Sequence, residues 1–143
     1  MLLERIHHVA YAVEDIDAAL PELIERYGMR VGIRERMEEQ GVEAVALDVG
    51  PDRLELIQPI DPEGSVARFL ERRGPGLHHV GYAVGDLDAA LEELRSAGAE
   101  LIDERPRRGL GGHMIAFVHP HSAGGVLTEL VQSERSGRHG DRT

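Results

Sequence analysis

The chain contains no cysteine and no lysine among its 143 residues. Without cysteine, disulfides, thiolate nucleophiles and zinc–sulfur sites are excluded. Without lysine, Schiff-base chemistry is excluded, and all sixteen Lys-or-Arg positions are arginines. No apolar run approaches the roughly 20 residues of a membrane span. Any chemistry at a site must therefore depend on histidines, carboxylates and arginines.

Acidic side chains dominate the charge balance, and the formal net charge is −10. This charge opposes non-specific binding to nucleic acid and to anionic membranes, so we expect neither as a partner. The N-terminal residues show no signal-peptide pattern, and we expect a cytoplasmic protein. The length predicts one domain, residues 1–143, and a 41% hydrophobic content is enough to bury a core.

Two segments of the chain are nearly the same. Residues 7–23 and 78–94 are identical at thirteen of seventeen positions, with a constant offset of 71. A second, shorter similarity relates residues 54–58 to 128–132. Each half therefore has histidines near its start and a glutamate near its end. Two similar halves tend to pack about a pseudo-two-fold axis, which would bring two histidines and two glutamates together.

Hydrophobic spacing predicts the same order of elements, βαβββ, in both halves. A first strand precedes a helix that begins at an aspartate N-cap, Asp15 or Asp86, and stops near a glycine, Gly28 or Gly98. The later strands are predicted at 30–36, 42–49 and 53–58, and at 100–105, 113–118 and 126–132. The modules are 6–58 and 77–132, joined by a linker at 59–76 with a short helix at 65–73 and followed by a polar tail at 133–143. We predict an α+β fold in which the two modules form a curved β cleft.

The repeated glutamates, Glu55 and Glu129, each lie between less polar neighbours on a predicted strand. For one such glutamate, a solvated strand face is the more common explanation. Two at equivalent positions, each with an equivalent histidine pair at 7–8 or 78–79, favour a built site instead. Two imidazoles and two carboxylates suit divalent ions such as Co, Ni, Mn, Fe or Zn.

The chain resembles a known family along nearly its whole length. It is similar to the vicinal-oxygen-chelate superfamily and, more narrowly, to the methylmalonyl-CoA epimerases. The resemblance lies in seven segments that follow one another in order: residues 6–10, 38–42, 55–59, 76–80, 111–113, 117–120 and 125–130.

This resemblance implies a single divalent metal ion, with cobalt expected first and nickel, manganese or zinc as alternatives. In that family the metal is held by the histidine before the valine of each repeat, by the late glutamate of the second half and by a glutamine or glutamate in the first half. The corresponding ligands here are His8, Glu55, His79 and Glu129. The neighbours His7 and His78 are expected to point away.

The implied reaction needs proton transfer on both faces of a carbon acid. Removing the proton between a carboxylate and a thioester gives an enolate, and inversion requires delivery to the opposite face. The resemblance makes Glu129 an acid/base. For the other face the repeat suggests Glu55, whereas the family suggests a residue near Glu43. The ungapped family position is Ala44, and strand alternation turns Glu43 to the wrong face unless a bulge intervenes.

The implied substrate is methylmalonyl-CoA, bound by a homodimer. Arginines are the candidates for contacting the coenzyme A phosphates; they are Arg105, Arg107 and Arg108, with Arg72 and Arg73 as further possibilities. A lactoylglutathione isomerase of the glyoxalase I type would use the same four ligands and stays open. An extradiol dioxygenase needs only two histidines and one glutamate, so Glu55 at the fourth position argues against it. A non-enzymatic binding protein, the other alternative, needs no metal and has no reason to keep four ligand-type residues.

Overall fold

The computed structural model describes Met1 and residues 3–134; the predicted tail is outside the described residues from position 135 onward. The α-helices of the described residues are α1 (Ile16–Tyr27), α2 (Ser65–Arg73) and α3 (Leu87–Ser96). The strands are β1 (Leu3–Ala12), β2 (Arg30–Met37), β3 (Val42–Val49), β4 (Asp52–Pro59), β5 (Gly76–Val84), β6 (Arg107–Arg108), β7 (Met114–Val118) and β8 (Thr128–Gln132). The βαβββ order is confirmed in both halves, as is the linker helix.

The chain divides into two compact units. One comprises His8–His78, and the other comprises the described residues before His8 together with those from His79 onward. In the first unit the strand order is β2-β3-β4-β1, with β1 parallel to β4 and the other pairs antiparallel. In the second unit the order is β5-β8-β7-β6, with β5 parallel to β8 and the other pairs antiparallel. Both units thus place the first strand of a module beside the last.

Each unit buries one face of its sheet against its own helix. In the first unit Ile16 of α1 packs with Val45 of β3 and with leucines of β3 and β4. In the second unit Leu87 and Leu91 of α3 pack with Leu130 of β8 and with residues of β7. Because side chains alternate along a strand, the neighbouring residues of β4 and β8 face away from the helices. Glu55 and Glu129 are among those residues.

Both long helices begin as the sequence predicts. Asp15 accepts a hydrogen bond from the Asp17 N–H at 3.0 Å, and Asp86 accepts one from the Ala89 N–H at 3.1 Å. The helix α1 ends at Gly28, whose φ of 70° is a left-handed conformation that favours glycine.

The first amide of each of these helices is satisfied by a side chain that the sequence did not reveal. The Ile16 N–H donates to Gln58 Oε1 at 2.7 Å, and the Leu87 N–H donates to Gln132 Oε1 at 2.8 Å. Gln132 also donates from Nε2 to the Gly85 carbonyl at 2.7 Å. The repeated glutamine therefore ties the last strand of each module to the start of its helix.

The strand predicted at 100–105 is wrong. That stretch makes one isolated bridge, from Leu101 to Val118, and the regular pairing comes later, at β6. The Phe117 N–H of β7 donates to Asp103 Oδ2 at 2.9 Å, so a side-chain oxygen takes the place of the backbone carbonyl that a paired strand would offer. Pro106, which has no N–H, follows within a few residues.

None of the helices in the described part of the chain is long and apolar enough to cross a membrane.

Candidate functional site

The first unit holds a buried imidazole–carboxylate pair, His8 and Glu55. His8 Nε2 lies 3.6 Å from Glu55 Oε1, and the two residues are 3% and 8% exposed. Glu55 stands opposite Ala10 of β1 and Ala46 of β3. His8 is two residues before Ala10, so it shares a face with Glu55. The two small alanines leave the carboxylate room to reach the imidazole.

The second unit repeats this arrangement with His79 and Glu129. His79 Nε2 lies 3.4 Å from Glu129 Oε1, and the residues are 4% and 7% exposed. Glu129 stands opposite Gly81 of β5, and His79 is two residues before Gly81. On its other side Glu129 stands opposite Phe117 of β7 rather than an alanine. The repeated sequence thus forms the same His–Glu geometry in both units, and the two pairs differ in the residue opposite the glutamate on the neighbouring antiparallel strand.

The distances within both pairs suit metal ligands. Hydrogen bonds from nitrogen to oxygen usually span about 2.7–3.2 Å, and both pairs are longer. Ligand atoms about 2.0–2.2 Å from a tetrahedral divalent ion are about 3.3–3.6 Å apart, which matches both pairs. Burying a carboxylate is costly unless a positive charge accompanies it. The nitrogen and oxygen donors present therefore fit a divalent metal ion in chemistry and in spacing.

An aromatic ring orients each of the adjacent histidines of β5. Phe117 meets His79 edge-on, with centroids 5.1 Å apart at 89°, and the Arg107 guanidinium lies 5.8 Å from the same ring. Phe69 of α2 meets His78 in the same way, at 4.9 Å and 70°. The chain's two phenylalanines thus each pack on one member of this histidine pair. Edge-to-face contacts of this kind favour one orientation of an imidazole ring.

His7, the neighbour of His8, contacts a different ring. Its imidazole meets His113 with centroids 5.5 Å apart at 72°.

Glu43 lies on the face of β3 that packs toward α1. The pairing of β3 with β4 runs without interruption from Val42 to Val49, so no bulge turns Glu43 to the face of Glu55. Its carboxylate accepts a 2.6 Å hydrogen bond from Arg34 Nε, and Arg34 also binds Asp17 at 2.7 Å. The Arg34 guanidinium lowers the pKa of the Asp17 carboxyl through this hydrogen bond. This placement disfavours Glu43 as an acid/base.

The three predicted coenzyme A arginines do not share one face. Arg107 pairs with Ile115 in β7 and lies over Phe117, and its Nε is 3.2 Å from Asp103 Oδ1. Arg108, the next residue on β6, takes the opposite face by alternation. Arg105 lies beside α3, where it lines a surface pocket with Asp88 and Glu92, among other residues.

One arginine next to the site was missed from the sequence. Arg53 Nη1 lies 3.8 Å from Glu55 Oε2, and the Arg53 side chain is partly buried. The available signal was strand alternation, because a residue two positions before Glu55 must share its face.

Comparisons with known proteins agree on the family and the fold. The sequence model of the Glyoxalase/Bleomycin resistance protein/Dioxygenase superfamily matches residues 7–117. The ethylmalonyl-CoA/methylmalonyl-CoA epimerase of Cereibacter sphaeroides is 33% identical over 92% of this chain and 99% of its own length. The crystal structure of methylmalonyl-CoA epimerase from Mycobacterium tuberculosis has a TM-score of 0.87 and 38% identity, covering 92% of this chain and 89% of that one.

A solved complex adds a ligand to this set. A variant of Streptomyces coelicolor methylmalonyl-CoA epimerase in complex with 2-nitronate-propionyl-CoA has a TM-score of 0.87 and 37% identity, covering 92% of this chain and 99% of that one. These similarities confirm the α+β, glyoxalase-like fold and the resemblance drawn from the sequence.

Proposed function

The chain belongs to the methylmalonyl-CoA epimerase family of the glyoxalase/bleomycin resistance/dioxygenase superfamily, and we propose that it interconverts the (2R) and (2S) epimers of methylmalonyl-CoA. It is then an enzyme of the isomerase class. The observation that carries the proposal is the buried imidazole–carboxylate pair present in each unit. His8 with Glu55 and His79 with Glu129 supply ligands and proton acceptors without lysine or cysteine.

We propose that these four side chains together hold one divalent ion, with cobalt expected first and nickel, manganese or zinc as alternatives. Support comes from the spacing within each pair and from the burial of two carboxylates that call for a positive charge. When bound, the ion would supply the positive charge that stabilises the negative charge developing on the substrate oxygens.

Proton transfer is assigned to the carboxylates of the chain. Glu129 exchanges the α proton with one face of the substrate, and its burial beside Phe117 keeps bulk water away from the carboxylate. Glu55 is the proposed partner for the opposite face, since it is the repeat counterpart of Glu129. Glu43 remains the alternative from the family resemblance, but its carboxylate is occupied by Arg34 on the α1 side.

Arginines are proposed to hold the coenzyme A phosphates. Arg107 is the first candidate because it shares a face with Phe117, which stands opposite Glu129. Arg105 and Arg108 are retained as candidates for the more distant phosphates. Such contacts act alike on the ground state and the transition state, so replacing them is expected to raise KM with little change in kcat. The homodimer and the cytoplasmic location stay predictions from the sequence.

The adjacent histidines of β5 provide the test of this function. His79→Ala should lose the metal ion bound at the buried pairs and epimerase activity, because it removes a ligand from one of them. His78→Ala is the matched control: it removes the neighbouring imidazole, which packs on Phe69 and is not a proposed ligand. Metal content and epimerisation are measured on both variants. Stoichiometric metal and full activity in His79→Ala would overturn the assignment.

A further inference from the structure

A second group of metal-ligand side chains lies outside the buried pairs. We propose that Glu100, His119 and His121 form a surface site for a borderline divalent cation such as Ni²⁺, Zn²⁺ or Cu²⁺. One ligand atom from each of the three residues lies within 4.8 Å of the other two. Two imidazoles and one carboxylate are donors that these cations prefer. The site does not depend on the proposed epimerase function, and none of its residues belongs to the proposed catalytic set.

The distances around Glu100 fit chelation by both imidazoles. His119 Nε2 lies 3.6 Å from one carboxylate oxygen, and His121 Nδ1 lies 3.4 Å from the other. These spacings match those within the buried His–Glu pairs and the about 3.3–3.6 Å expected between ligands of a tetrahedral ion. The two imidazole rings have centroids 4.3 Å apart and are tilted by 50°. A cation between them can therefore be approached by both nitrogens and by the carboxylate.

Hydrogen bonds of the backbone hold the three residues next to one another before any ion arrives. The Glu100 N–H donates to Ser122 Oγ at 2.8 Å, and the Glu100 carbonyl accepts from the His119 N–H at 3.0 Å. The Ser122 N–H in turn donates to the His119 carbonyl at 2.9 Å. Two hydrogen bonds thus connect the short turn that carries both histidines to Glu100, which supplies the carboxylate. This preorganisation reduces the conformational entropy lost on binding.

One hydrogen bond must be given up when the ion binds. The His121 N–H donates to His119 Nδ1 at 3.0 Å, so a neutral His119 ring carries its proton on Nε2, toward Glu100. An ion bound at Nε2 needs the lone pair there, and the ring must then carry its proton on Nδ1. The His121 N–H loses its acceptor in that state. This loss makes the site weaker than one whose ligands need no rearrangement.

Exposure also distinguishes this site from the buried pairs. The His119, His121 and Glu100 side chains are 31%, 78% and 56% exposed, so water can complete the coordination shell. The acidic chain favours the approach of cations. We therefore expect binding that is weaker and faster to exchange than binding at the buried pairs, and that is lost in acid because imidazole ligands must be deprotonated.

Equilibrium dialysis against Ni²⁺ tests the site on the full chain. The variants are Glu100→Gln, His121→Ala and His119→Asn, the last because an asparagine oxygen can still accept the residue-121 N–H. Each should bind one Ni²⁺ fewer per chain than the wild type and keep full epimerase activity. His139→Gln, which removes a histidine from the tail, is the control and should leave the Ni²⁺ count unchanged. Unchanged Ni²⁺ binding in all three cluster variants would overturn the proposal.

The same titration in a His79→Ala background separates this site from the catalytic proposal. One Ni²⁺ should remain in His79→Ala and disappear in His79→Ala combined with His121→Ala. If the buried pairs bind no metal, the wild type binds one Ni²⁺ and His121→Ala binds none, which sustains the surface site alone. Nuclear magnetic resonance of the His79→Ala variant gives the location, since paramagnetic Ni²⁺ should there broaden the His119 and His121 ring signals first. Broadening that begins elsewhere would contradict the assignment.

Discussion

Replacing Phe117 with leucine should weaken metal binding without removing a ligand. Phe117 meets the His79 ring edge-on at 5.1 Å and 89°. Such a contact contributes about 0.5–1.5 kcal/mol beyond area burial. If it serves to hold His79 in its ligating plane, its loss raises the metal Kd by about 2- to 13-fold. Leucine keeps position 117 apolar. The variant therefore removes the aromatic contact to the His79 ring while most of the apolar packing stays.

The chain supplies a closely matched control in Phe69→Leu. Phe69 is partly buried like Phe117, lies 4.9 Å from the His78 ring, and has the Arg73 guanidinium 5.6 Å away. Phe69 lies in α2 rather than in β7, and the histidine that it contacts is not a proposed ligand. The metal Kd of both variants is measured by competition with a chromophoric chelator, alongside urea denaturation. Equal metal affinities, or a larger loss in Phe69→Leu, would refute the reasoning.

Three further predictions follow from the contacts of single side chains. Glu129→Gln should lower kcat by about 10²- to 10⁴-fold; if isotope exchange from each epimer keeps its wild-type rate, Glu129 has no part in proton transfer. Gln132→Ala should lower the free energy of unfolding by about 1–3 kcal/mol in urea titrations, because the Leu87 N–H loses its acceptor. Asp17→Asn should be less stable than the wild type at neutral pH. Because Arg34 lowers the pKa of Asp17, that difference is complete above the ordinary pKa of about 4 and is lost as pH falls through the lowered value.

The fold was predictable because the repeat gives two independent readings of the same pattern. Both long helices start where the sequence predicts, since Asp15 and Asp86 cap them through local hydrogen bonds that sequence spacing indicates. The strand at 100–105 failed because its partner strand uses the Asp103 side chain in place of a strand carbonyl. This hydrogen bond joins residues 14 positions apart, and nothing in the local sequence pattern predicts it.

The sequence was enough to propose the residues of the candidate site, but it did not predict the side chains that surround them. Alternation and the repeat were enough to select Glu55 and Glu129. The ring that orients His79 and the glutamines that start the helices could not be found in this way. Gln58 and Gln132 accept from amides 42 and 45 positions away, and such pairings depend on strand order and register.

The central claim is metal-assisted proton transfer at the α carbon of the substrate. The most direct measurement is proton nuclear magnetic resonance of methylmalonyl-CoA in deuterated water, with enzyme first stripped by a chelator and then reloaded with Co²⁺. The account predicts that the reloaded wild type exchanges the α proton catalytically, while the stripped enzyme and His79→Ala do not. Exchange at the same rate by stripped and reloaded enzyme, or no exchange by either, would contradict it.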